Sequence, residues 1–205
     1  MVSLIKNRTF KKDIENLSVD LLSGKIDGNQ FCLFFDEHPK HLVWFNNFAS
    51  NHLYSDLCKI DIVKKEIEHN ANVKIFLYQL AEQYLLCVKR EYKVLAEDYL
   101  LYIELEKQCP EWVQTDLMML KKLYPNLNEL IKSNSIKNQI LRDFRYSKDK
   151  PDWLQGPEWP VIDGVVCIFN KQSSSVDNLP YDECSIEYSF INPKTNETIT
   201  VVQYD

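Results

Sequence analysis

Apolar residues recur at three- and four-residue steps through the first 150 positions and then begin to alternate, so the chain reads as a helical body followed by a β-rich tail. Phe10, Ile14, Leu17 and Leu21 form one stripe that stops at Ser23-Gly24, a helix end. Gln30-Phe31-Cys32-Leu33-Phe34-Phe35 is too short a run to separate a buried strand from a helix segment. A helix is expected across His41–Leu57, with Leu42, Phe45, Phe48 and Leu53 on one side. Asp61 is placed to cap another, with Ile62, Val63 and Ile67 facing inward.

The longest pattern runs from Asn72 to Gln108 through Val73, Phe76, Leu77, Leu80, Tyr84, Val88, Leu95, Tyr99, Tyr102 and Ile103. It predicts at least one helix longer than 25 residues, about 55 Å if unbroken at 1.5 Å per residue. A break near Lys89-Arg90-Glu91 would instead give two antiparallel helices. Pro110 ends the pattern, because proline cannot continue a helix interior. Trp112–Leu123 and Asn126–Lys132 read as shorter helices split by Pro125. Ile136, Ile140, Leu141 and Phe144 make the last, before a linker at Ser147-Lys148-Asp149-Lys150-Pro151.

Beyond the linker, Val165–Gln172, Cys184–Ile191 and Thr198–Tyr204 are rich in β-branched and aromatic residues. Ile186, Tyr188 and Phe190 alternate with Glu187 and Ser189, as a half-buried strand requires. Asn192-Pro193-Lys194-Thr195-Asn196 is a hairpin loop, which predicts a three-stranded antiparallel meander. So small a sheet needs helices to cover its apolar face. The expected fold is α+β: a helical body over 1–148 and an acidic β module over 151–205, together one compact unit.

Composition sharpens that division. Of four glycines none lies between Asn29 and Gln155, so the body has few inexpensive routes to positive φ and favours long helices. From Pro151 onward nine acids face two bases, a net of −7, whereas the body carries 22 bases and 21 acids. The chain's excess negative charge therefore belongs to the tail, where it repels a phosphate backbone and attracts a basic protein. Nucleic acid is thus not an expected partner. Neither is a membrane: the longest apolar runs, such as Leu42-Val43-Trp44-Phe45, are far too short to span one. The N-terminus turns polar before a signal-peptide core can form. The six scattered cysteines lack a C-x-x-C pair and read as free thiols in a reducing cytoplasm, with Cys167 and Cys184 the one pair to check.

Catalytic and metal chemistry find little support. His38 and His41 lie in Asp36-Glu37-His38-Pro39-Lys40-His41, and Glu66-Ile67-Glu68-His69 holds a single Glu-x-x-His. A di-iron bundle site needs two such motifs and two further glutamates, so no metal or other cofactor is expected. There is no Gly-x-Ser-x-Gly, glycine-rich phosphate loop or cysteine in a catalytic context, and the body's glutamates mostly accompany lysines on a solvated face. The expectation is a protein that is not an enzyme. Tyr78, Tyr84, Tyr92, Tyr99 and Tyr102 lack the basic groove that a base-stacking platform requires, and their spacing fits core packing.

The segment Asp152-Trp153-Leu154-Gln155-Gly156-Pro157-Glu158-Trp159-Pro160 has two readings. It is either a stiff strap whose indoles seal the sheet, or a rigid recognition surface with tryptophan anchors. On the second reading Trp159 anchors a partner, and Trp153, Asp152, Glu158, Asp163, Asp182, Glu183 and Glu187 surround it.

This tail, with Phe169…Gln172, Tyr188-Ser189-Phe190 and Val201-Val202-Gln203, is similar to that of small bacterial proteins. In its acidity and lack of catalytic motifs the chain resembles bacterial toxin-immunity proteins. The resemblance implies a cytoplasmic binding protein that neutralises a basic partner, such as a nuclease toxin. The alternatives are a helical adaptor or regulatory interaction protein, and an enzyme with an unfamiliar site.

Overall fold

The computed structural model describes residues 2–52, 71–175 and 185–204, with side chains described for 9–48, 74–174 and 185–204. Among these residues the architecture is α+β. Eight helices come first: α1 Val2–Leu22, α2 Gly28–Glu37, α3 Pro39–His52, α4 Ala71–Cys87, α5 Glu97–Gln108, α6 Leu117–Leu123, α7 Leu127–Lys132 and α8 Ile136–Asp143. Five strands follow: β1 Val161–Ile162, β2 Val165–Val166, β3 Ile168–Ser175, β4 Ser185–Ile191 and β5 Thr198–Tyr204. The helix seeded by Asp61, with its Glu-x-x-His, lies outside the described residues. No described helix is long and apolar enough to cross a membrane.

The ambiguous Gln30–Phe35 run is helical, and its cause is local. Asp27 caps α2 by accepting the Gln30 N–H at 2.8 Å, while the Gln30 side chain accepts the Asp27 N–H at 2.9 Å. This reciprocal capping box satisfies two N-terminal donors at once. Phe31, Cys32 and Phe35 then face the core. α3 opens on Pro39, whose fixed φ suits a first helical turn.

The expected helix longer than 25 residues does not form; the chain takes the alternative, with a break. α4 ends in a Schellman turn: Lys89 N–H bonds the Leu86 carbonyl, and Arg90 N–H reaches back to Leu85. Lys89 adopts φ 56°, the left-handed conformation usually left to glycine. α1 closes in the same way on Gly24 (φ 73°), and α7 on Asn134 (φ 54°). A chain poor in glycine thus still makes left-handed turns, with lysine and asparagine.

The chain groups into two compact units, Met1–Ile103 and Glu104–Asp205, with the boundary within α5. The expected linker lies inside the second unit. Phe169 donates its N–H to the Arg145 carbonyl and accepts the Ser147 N–H, and Pro151 is buried.

In the first unit α1 packs along α4. Ile14, Leu21 and Leu22 are buried, as are Leu77, Leu80, Tyr84 and Leu85. The Tyr84 hydroxyl donates to the Lys11 carbonyl at 3.2 Å, and its ring meets Trp44, Phe45 and Phe48 edge-on. This places Tyr84 in a packing role. Tyr99 is likewise buried, and its hydroxyl shares the Glu82 carboxylate with that of Tyr92.

In the second unit β3, β4 and β5 form the expected antiparallel meander, with Phe169 opposite Phe190 and Tyr188 opposite Val201. The first expected strand, Val165–Gln172, is divided. Val161–Val166 is a separate hairpin closed by Asp163-Gly164, both at positive φ, as the two-residue turn requires. Cys167, a free thiol, separates it from β3, and Cys184 lies outside the described residues.

Candidate functional site

The strap 152–160 is fastened to the sheet by side chains from all three strands. The Asp152 N–H donates to Gln172 Oε1 on β3 at 2.8 Å. On β4, the Tyr188 hydroxyl donates to the Asp152 carbonyl at 2.9 Å and accepts the Leu154 N–H at 2.7 Å. On β5, Gln203 accepts the Gln155 N–H and donates to the Gly156 carbonyl at 2.7 Å. Tyr188 and Gln203 are almost fully buried, so these bonds replace solvation that the strap's peptide groups would otherwise lose. Burial pushes the Tyr188 hydroxyl pKa up and the Leu154 N–H counters it, while the Asp152 and Glu158 carboxylates push it up further.

Both indoles of the strap serve packing. Trp159 is 2% exposed, and its Nε1 donates to the Cys167 carbonyl at 2.7 Å. Its ring meets Trp112, Phe144, Trp153, Phe169 and Phe190. Gln114 holds its backbone at both polar groups. The residue read as a partner anchor is therefore a core side chain of the second unit. Trp153 is partly exposed, donates to the Trp112 carbonyl at 3.0 Å, and lies over Tyr188 at a centroid distance of 4.5 Å. The strap reading of this segment accounts for both.

The carboxylates fall differently. Asp152 and Glu158 lie exposed on the strap, Asp163 on the β1–β2 turn, and Glu187 on the face of β4 opposite Tyr188. They belong to three different features of the unit. None joins an ion pair among the described residues. Asp182 and Glu183 lie outside the described residues.

The first unit holds an open cleft of about 360 Å³ that periodicity alone did not reveal. Asp27, Gln30, Tyr78, Glu97 and Asp98 line it with Lys25. The Tyr78 hydroxyl pKa is raised by burial first and then by Asp98 and Asp27. Each charge also has a local structural role. Asp27 caps α2, Lys25 pairs with Asp20 at 2.9 Å, and Glu97 and Asp98 occupy the first turn of α5, where the helix dipole favours anions. The sequence signals for this cleft are the Asp27-x-x-Gln30 capping box and the helix break near Lys89-Arg90-Glu91.

The histidines are held by structural partners. His38 Nδ1 lies 2.9 Å from the Phe34 carbonyl with its ring stacked on Phe34, and His41 Nε2 lies 3.0 Å from Asp13 Oδ2, joining α3 to α1. Among the described residues no group of three or more His, Cys, Asp or Glu is placed to hold a metal ion. Comparison with protein-family models, curated proteins and solved structures finds no match for this chain.

Proposed function

We propose that this chain is a binding protein that neutralises a basic protein partner, as immunity proteins neutralise nuclease toxins, and that it acts in the cytoplasm. One observation carries the reading. Asp152, Glu158, Asp163 and Glu187 are exposed without ion-pair partners among the described residues, in a stretch with nine acids and two bases. Four carboxylates of the helices, Glu15, Asp20, Glu104 and Asp143, are instead paired, with Lys11, Lys25, Lys107 and Arg142. Uncompensated charge of one sign steers a partner of the other and disfavours wrong ones. With Trp159 buried, recognition on this reading is electrostatic at the tail rather than anchored by that indole.

The test is amide NMR during titration with an arginine-rich peptide. Shifts centred on Asp152, Glu158, Asp163 and Glu187 that vanish at high salt support the reading. Shifts confined to the first unit, or none, contradict it. Neutralisation is tested by co-expression with any basic toxin-like domain encoded beside this gene: restored growth supports it, and unrelieved toxicity contradicts it.

A further inference from the structure

The second unit carries a positive patch that a count along the chain conceals. Arg145, Lys148 and Lys150 precede Pro151, and Lys171 is one of the tail's two bases. The fold brings them together. The Ser147 N–H donates to the Phe169 carbonyl at 2.8 Å, and the Asp152 N–H donates to Gln172 Oε1 at 2.8 Å. Residues 147–152 are therefore fastened at both ends beside the stretch of β3 that holds Lys171. Lys148 and Lys150 lie between the fastenings, and Arg145 lies just before the first, its carbonyl accepting the Phe169 N–H at 2.9 Å. Asp149 lies among these four bases and leaves the patch a net of +3. All five residues are exposed, and none joins an ion pair among the described residues.

The patch adjoins Asp152, one of the carboxylates assigned to recruitment. Lys150 is two residues from Asp152, so their α-carbons lie within about 7 Å. Lys171 precedes Gln172, whose side chain holds the Asp152 N–H. Exposed charges feel one another over roughly 8–10 Å at ordinary ionic strength. A cation seated on Asp152 therefore also meets these lysines, and an evenly basic surface is repelled there. Matched potentials across an interface fix its orientation, and like charges brought face to face disfavour a partner.

We propose that the patch receives an acidic group of the same basic partner, set beside the cations that pair with Asp152, so that the partner docks in one orientation. This rests on the proposed recruitment by the tail's carboxylates and specifies its partner: a basic surface bordered by acid. Lysines suit the role, because each is a point charge on a long flexible stem that reaches an anion without a rigid pocket.

Two synthetic peptides that share an arginine-rich segment and carry, through a glycine linker, either serines or glutamates test this, each made in both orders. Binding is followed by amide NMR. The serine peptide should shift Asp152 and Glu158 and leave Lys148, Lys150 and Lys171 unmoved. The glutamate peptide, in one of its two orders, should shift those lysines too and bind roughly fivefold more tightly, the yield of two exposed ion pairs. Its lower positive charge alone predicts weaker binding to a chain of net −6, so a gain reports the patch. Lys148→Glu, Lys150→Glu and Lys171→Glu combined should abolish the gain and tighten the serine peptide, with unchanged circular dichroism. A serine peptide that does not bind overturns both this proposal and the recruitment it rests on. A serine peptide that binds at the tail, with no gain from glutamate or a gain that survives the triple variant, overturns this proposal alone. So does a single-stranded oligonucleotide that shifts the three lysines while the glutamate peptide does not.

Discussion

The Tyr188 hydroxyl accepts the Leu154 N–H at 2.7 Å and donates to the Asp152 carbonyl at 2.9 Å, so one phenol closes two peptide groups of a strap otherwise poor in backbone partners. Tyr188→Phe keeps the ring's packing on Trp153 and removes both bonds. The expected loss is about 1–3 kcal/mol, the cost of leaving buried groups unpaired. Urea unfolding measures it; an unchanged midpoint would mean that water reaches the strap freely.

Trp159 should behave as a core residue. Trp159→Ala empties the centre of the Trp112–Phe144–Phe190 cluster and is expected to cost about 3–5 kcal/mol. Thermal melting checks this. A variant of full stability with altered partner binding would return Trp159 to the surface role.

Lys89 marks the break that decides between one long helix and two shorter ones. Apolar spacing continues in phase across Val88 and Leu95, but the helix ends at a lysine with φ 56°, a turn that periodicity does not register. Lys89→Gly removes the Cβ penalty of that conformation and should stabilise by up to about 1 kcal/mol. A loss of stability would show that this left-handed turn is not present in solution.

Other parts of the fold were legible for physical reasons. Alternation at Ile186, Tyr188 and Phe190 reported a strand with one buried face, and Asn192–Asn196 reported its hairpin. The Asp163-Gly164 turn and the Asp27–Gln30 capping box were written locally too, in turn and cap chemistry rather than in apolar spacing. The fate of the two strap tryptophans was not local. Trp159 is buried because Cys167, Gln114 and the rings of Trp112, Phe144, Phe169 and Phe190, from four separate segments, converge on it, and no nearby sequence encodes that.

Alkaline pH should weaken the fold. The Tyr92 hydroxyl pKa is pushed up to about 12, by burial first and then by its hydrogen bond to Glu82. Tyr78 and Tyr188 are raised as well, again chiefly by burial. The folded state therefore holds these protons more tightly than the unfolded chain, whose tyrosines titrate near about 10. Their contribution is complete below that pH and is lost as pH rises from about 10 to about 12. Denaturation midpoints should fall across that window, less steeply in Tyr92→Phe. A flat profile would contradict the buried phenol contacts.

The central claim is that unpaired carboxylates of the tail, and not the net charge of the whole chain, recruit a basic partner. Stopped-flow association with an arginine-rich peptide tests it most directly, comparing Asp152→Lys, Glu158→Lys and Glu187→Lys combined with Glu37→Lys, Glu91→Lys and Glu97→Lys combined. Both triple variants change the chain's charge equally, but only the first takes the tail from −7 to −1. The tail variant should associate on the order of tenfold more slowly, with a flattened salt dependence, while the first-unit variant stays near wild type. Equal slowing in both variants, or slowing only in the first-unit variant, would contradict the account.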